Sequence, residues 1–181
     1  MADTASNQAS RTTSRTHLRL PTDLTLTPLE GEGLGQTRPI MDWLTTFHLA
    51  SVVLDPYTNE SSWVLRSATR ILEQFRDTDA RINLIVTAGP EDARAFLGPL
   101  AEQYLVFCDP ERAAVRAMGL KTLPAFAFIR VDGDVAAVAE GWNPPEWGTV
   151  AEAIAEATAW TSVLIPGHDD PSPFHGSPAF G

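Results

Sequence analysis

The run at residues 49–54, Leu-Ala-Ser-Val-Val-Leu, constrains the fold more than any other feature of the chain. It is apolar or small throughout, rich in β-branched side chains, and closed by Asp55-Pro56. A half-exposed strand alternates apolar and polar residues, whereas an unbroken apolar run of this length suits a strand covered on both faces. The pattern then changes to helical spacing over residues 60–76, with Val64, Ala68, Ile71, Leu72 and Phe75 on one face and Thr58 or Asn59 as N-cap. A doubly covered strand followed by an amphipathic helix is half of a parallel crossover, so a sheet with helices on both faces is expected.

The alternation continues. Residues 82–88 read as a second strand, broken by Gly89-Pro90, and residues 91–97 as a helix with an acidic first turn. Residues 104–108 are a third strand, and 110–118 a short helix with Gly119 as its C-cap. Residues 123–130 form a further strand, which Asp132-Gly133 turns back into 135–139 as a hairpin. A last helix opens at Asn143-Pro144-Pro145-Glu146, where Asn is the N-cap, Pro fills the first turn and Glu completes a capping box. Trp147, Val150, Ile154 and Ala157 give that helix its buried face.

Composition removes whole classes of function. The net charge is −10, and residues 1–20 carry three arginines against one aspartate, so the remainder is more acidic still. Such a body repels phosphate backbones, and nucleic acid is not an expected partner. No window approaches the roughly 18 apolar residues of a membrane span, and the N-terminal stretch has no apolar core of the export type. No membrane partner and a cytoplasmic location are expected. The single cysteine, Cys108, rules out an intramolecular disulfide and a zinc site built on several thiolates. Residues 1–39, poor in periodicity apart from a short strand near Leu24–Leu26, are expected to be a flexible arm. Residues 40–160 form the domain, and 161–181, with four prolines and three glycines, a flexible C-terminal tail.

The order β-α-β-α-β-α-β-β-α, with Asp109, Gly119-Leu120, Thr122-Leu123-Pro124, the strand at 126–129, the Asp132-Gly133 turn and Gly141, resembles the thioredoxin superfamily. Within it, the chain is most similar to the peroxiredoxin-like and thioredoxin-like reductase branch. The resemblance spans about residues 45–160. It implies a thioredoxin-like α/β fold, with a mixed central sheet, helices on both faces, and a C-terminal β-hairpin plus helix. It further implies a cis peptide bond before Pro124, where members of the superfamily pair their backbone with an extended peptide. Redox-active members carry a CxxC pair where the first strand gives way to the first helix, whose N-terminus depresses the thiol pKa. Here the corresponding segment is Tyr57-Thr58-Asn59-Glu60-Ser61-Ser62-Trp63, with Asn59 and Ser62 near the cysteine positions. Neither can form a disulfide, and the Thr-x-x-Cys of peroxiredoxins is absent too. Thiol–disulfide chemistry at that place is excluded.

The function expected is therefore a redox-inactive thioredoxin-like protein that acts as a protein- or peptide-binding, or chaperone-type, module. Its candidate binding residues are Tyr57, Thr58, Asn59, Ser62, Trp63, Leu123 and Pro124. The alternative is a single-cysteine thiol enzyme, of peroxide or glutathione type, that uses Cys108. No cofactor and no metal are expected: His168, Asp169, Asp170 and His175 read as a polar tail rather than a ligand set. Trp63, Trp142 and Trp147 read as packing residues before groove residues, Trp43 and Trp160 as packing residues, and His48 as structural. The sequence leaves the oligomeric state open.

Overall fold

The structure is a computed structural model that describes residues 17–29, 36–161 and 164–181 of the 181-residue chain. In chain order its elements begin with β1 (Thr25–Pro28), β2 (Arg38–Pro39), α1 (Ile40–Trp43), β3 (His48–Leu54), α2 (Asn59–Glu73), β4 (Ala80–Val86), α3 (Pro90–Leu97) and α4 (Leu100–Gln103). They continue with β5 (Leu105–Cys108), α5 (Ala113–Ala117), β6 (Thr122–Leu123), β7 (Ala125–Ile129), β8 (Val135–Glu140), α6 (Pro144–Ala157) and β9 (Ser177–Pro178). Seven strands form one mixed sheet in the order β2-β1-β5-β4-β3-β7-β8, and β6 pairs with β9 apart from it. β3, β4 and β5 run parallel, while β7 is antiparallel to both β3 and β8.

β3 lies inside the sheet, which is why its sequence is apolar on both faces. Ala50, Val52 and Leu54 point into a core shared with Val64 and Ile71 of α2, Ala93 of α3, and Trp147 and Ile154 of α6. Leu49 and Val53 point the other way, against Trp43 of α1 and Ala114 and Val115 of α5. The period of two along the strand therefore divides one run between two cores.

Local chemistry sets the element ends. α5 starts at Ala113, three residues later than the helical pattern suggests, because Asp109 captures its first turn: the carboxylate accepts N–H bonds from Ala113, Ala114 and Val115 at 2.8, 3.0 and 3.3 Å. α6 opens on Asn143, whose side chain accepts from the Glu146 N–H. The β7–β8 turn closes with Gly133 at φ +84° and with Asp132 accepting from the Asp134 N–H at 3.0 Å. The strand read as 123–130 is in fact two, β6 and β7, separated by Pro124.

Both ends of the chain depart from the expected division into arm, domain and tail. β1 pairs antiparallel with β5, through Thr27↔Cys108 and Pro28↔Phe107, and Leu20, Leu24, Leu26 and Leu29 are all buried. The packed domain therefore begins well before residue 40. The earlier part of the expected arm, residues 1–16, and the glycine-containing stretch at 31–35 lie outside the described residues. At the other end, residues 164–181 lie along the domain surface and contribute β9. Their prolines and glycines conceal this from any search for periodicity, because the contacts are made by backbone rather than by a repeating apolar face.

Candidate functional site

The antiparallel register Val53↔Ala125 sets Pro124 opposite Leu54, so the loop before β7 and the start of α2 meet at one end of the sheet. The Leu123–Pro124 peptide is cis, as the resemblance implies. Asp55, the residue after β3, organises the turn into α2. Its N–H donates to the Ser61 hydroxyl at 2.9 Å, and its carboxylate accepts from the Tyr57 N–H at 3.0 Å and from the Arg112 guanidinium at 2.9 Å. Its carbonyl accepts from the Thr58 hydroxyl at 3.2 Å.

Within this frame the expected site residues divide. Thr58 is the N-cap residue of α2 in extended conformation, and Asn59 and Ser62 are exposed. The Tyr57 ring is 66% exposed and its hydroxyl donates to Asp92; that bond, before burial, raises the phenol above its ordinary pKa. Trp63 is 56% exposed on the first turns of α2. Leu123 and Pro124 are buried. Trp142 and Trp147 are fully buried, 5.0 Å apart edge to face, with the Trp147 indole N–H on the Gly141 carbonyl. Trp160, read as a packing residue, is instead 48% exposed. His48 packs edge-on to Phe128 and accepts from the Val131 N–H, and burial lowers its pKa.

The C-terminal segment covers this end of the sheet. Arg70 of α2 anchors its upstream part, with its guanidinium on the Asp170 carboxylate at 2.6 Å. Burial works to raise the Asp170 pKa, but bonds from Ser67, the Gly167 N–H and Arg70 outweigh it and leave the carboxyl below its ordinary value. The Pro171 carbonyl accepts from the Trp142 indole, and Phe174 forms a two-way backbone bridge with Trp142 while meeting Trp63 edge to face at 5.6 Å. Ser177 and Pro178 then pair antiparallel with Leu123 and Thr122, immediately before the cis bond. The Ala179 N–H donates to the Lys121 carbonyl at 2.8 Å, and the Ala179 carbonyl accepts from Arg112 at 2.5 Å. Phe180 lies beneath the Arg116 guanidinium, 5.6 Å from it.

Two glycines make this path possible. Gly176, at φ +84°, passes so close to β6 that a Cβ there would stand 2.5 Å from the Leu123 carbonyl oxygen. Gly141, at φ +66°, faces the His175 carbonyl with no room for a side chain. In both places a left-handed φ and close backbone approach exclude any other residue without strain.

Cys108 is only 7% exposed; burial pushes its thiol pKa up, and the Arg94 charge opposes this only in part. That environment is the opposite of the exposed, electropositive one that activates a thiolate. His168 contacts Asp169 at 3.1 Å, and among the described residues no three or more His, Cys, Asp or Glu side chains assemble as a metal-binding group. Sequence reading gave Arg112 no role and took the tail as flexible. Arg112 shows no signal of its own, since its two partners lie 57 and 67 residues away along the chain.

No family model matches the chain, and no curated protein matches it. Solved structures do. A secreted disulfide oxidoreductase of Mycobacterium tuberculosis, described as homologous to the E. coli protein DsbE, is 15% identical with a TM-score of 0.54, covering 72% of this chain and 95% of its own. The bacterioferritin comigratory protein of Xanthomonas campestris, studied for alkyl peroxide reduction, is 15% identical with a TM-score of 0.57, covering 80% and 97%. A hypothetical protein from Sinorhizobium meliloti 1021 is 12% identical with a TM-score of 0.63, covering 91% and 94%. Likeness at this identity carries architecture and not chemistry. No helix among the described residues is long and apolar enough to cross a membrane. With one cysteine in the chain, no CxxC pair is present, and the architecture is that of the thioredoxin-like proteins.

Proposed function

We propose that this protein is a redox-inactive thioredoxin-like module that binds an extended segment of a protein or peptide partner beside cis-Pro124. The observation that supports this most directly is the β6–β9 pairing: the backbone at Thr122–Leu123 holds an extended chain in antiparallel register, by the same main-chain bonds a foreign strand would use. The exposed rings of Tyr57 and Trp63 border the same end of the sheet and offer contact area of the kind enriched at binding hot spots. Asn59 and Ser62 supply polar edges where redox-active relatives place thiols. The buried Cys108, with its raised pKa, gives the alternative of a single-thiol enzyme no support. A cytoplasmic location belongs to this reading, because an unpaired cysteine suits a reducing compartment.

Two measurements test it. Insulin-disulfide reduction and hydrogen peroxide consumption should stay at the buffer rate for the wild type and for Cys108→Ser. Thiol turnover lost in the serine variant would move the protein to the enzyme class. An array of extended decapeptides of varied sequence, probed with the wild type and with Gly176→Ala, should retain protein, and Trp63→Ala should reduce retention at least fivefold. An array on which neither form is retained anywhere overturns the binding reading.

A further inference from the structure

We infer that residues 174–181 are an internal copy of the ligand this groove takes, and that a partner gains the site by displacing them. The inference rests on the proposed binding role and names both its ligand pattern and its regulation. The segment occupies the groove as a ligand does rather than as a core element does. Along 164–181 only Ala179 is buried; the other described residues of the segment are half-buried or exposed. Most of what holds it is main chain: the bridge to Trp142, the ladder to Thr122–Leu123, the Ala179 N–H on Lys121, and the Ala179 carbonyl on Arg112, with the half-buried Phe174 ring and the Ala179 methyl as its apolar contacts. Such bonds are indifferent to the identity of the incoming chain, so another extended segment can replace them one for one.

The side chains that do make contact define what would fit. An aromatic ring at position 174 lies edge-on to Trp63. The residue at 176 must be glycine, since its Cβ would meet the Leu123 carbonyl. The residue at 179 must be small: its methyl is completely enclosed in the cluster of Met118, Leu120 and Leu123. The residue at 180 is aromatic, beneath Arg116. The ligand class is therefore an extended, unmodified polypeptide of pattern aromatic-x-Gly-x-x-small-aromatic. The pattern occurs in this chain as Phe174-His-Gly-Ser-Pro-Ala-Phe180. Arg112 joins the two halves of the site, because one guanidinium holds both the Ala179 carbonyl of the tail and the Asp55 carboxylate at the start of the α2 turn.

The test uses the full-length chain and a fluorescein-labelled decapeptide with the sequence of residues 172–181. Gly176→Ala and, separately, Ala179→Arg should release the tail, read by faster hydrogen exchange at the residue-179 amide with circular dichroism unchanged. Both variants should bind the labelled peptide at least tenfold more tightly than the wild type does. A peptide carrying Ala at its Gly176 position should not bind. In the wild type, which needs no substitution, the Ala179 amide should exchange at least a hundredfold faster than the amides of β3. Exchange of Ala179 only with global unfolding would make the tail a fixed element and overturn the inference. So would equal peptide binding by wild type and variants, or folded, tail-released variants that ignore the peptide. If those variants still bind other decapeptides on the array, only this ligand pattern fails. If they bind none, the binding role itself fails.

Discussion

The two ends of the chain each add a strand to the domain, yet they are held by different physics. β1 brings Leu20, Leu24, Leu26 and Leu29 with it, all buried. At about 1.5 kcal/mol or more for each large apolar side chain, the N-terminal segment contributes about 6 kcal/mol of burial, an upper-end figure because unfolded chains already shield some surface. The C-terminal segment brings the Ala179 methyl, worth about 1 kcal/mol on the same scale, into one core, sets the half-buried Ile165 and Phe174 against the other, and otherwise relies on hydrogen bonds each worth about 1 kcal/mol net. The first strand is therefore part of what makes the domain fold. The last is the strap that we infer to be releasable.

The largest effect that separates them is expected at Leu26. Leu26→Ala removes a side chain 2% exposed in the core and should cost about 3 kcal/mol of global stability, read from the midpoint of urea unfolding. A loss no greater than that of a tail variant would erase the contrast. Arg112→Ala acts where the two regions meet. It frees the Ala179 carbonyl and strands the buried Asp55 carboxylate, at about 2 kcal/mol, less than for a fully enclosed pair because the arginine keeps some contact with water. Its mark is a combined one: lowered global stability together with faster exchange along 177–179.

Asp170→Asn should leave the urea midpoint within about 0.5 kcal/mol and still loosen the strap, since it weakens charge-assisted bonds that hold only the tail. Peptide-level hydrogen exchange should show residues 164–181 opening severalfold faster with α2 unchanged. The smallest effect is one of pH. The Asp170 pKa is depressed in the folded chain, so its contribution is fully present above the ordinary carboxylate value of about 3.9 and disappears as pH falls through the folded-state pKa. Asp109 runs the other way: burial raises its pKa despite three backbone N–H bonds, so acidification relieves strain at α5. As pH falls, the amides of Ala113–Val115 should shift in proton–nitrogen NMR spectra before the Gly167 amide does, because Asp109 takes its proton above the ordinary carboxylate value and Asp170 below it. A simultaneous shift at both places would show that strap and core are not separable.

Much of the fold was legible because its signals are local. The apolar run at 49–54, the Asp132-Gly133 turn and the Asn143–Glu146 cap each express a backbone requirement within a few residues of the side chains that meet it. The start of α5 was misjudged by three residues because Asp109 reaches forward to take its N–H groups, which periodicity cannot register. The aromatic residues were harder still. Trp63, Trp142 and Trp147 share a composition signal, and only the packing separates the exposed ring on α2 from the two enclosed beneath the hairpin.

By itself, the sequence determined the order of the central strands and helices, the doubly covered central strand and the absence of a cysteine pair, each of which depends on residue type and short spacing. The cis bond before Pro124 was implied by the family resemblance. Only the tertiary structure decided that the first strand is core, that the last lies in the groove beside Pro124, and that Arg112 links it to Asp55. Those depend on backbone bonds between segments tens of residues apart, and every residue carries the same N–H and C=O, so nothing in the side-chain pattern announces which of them will meet.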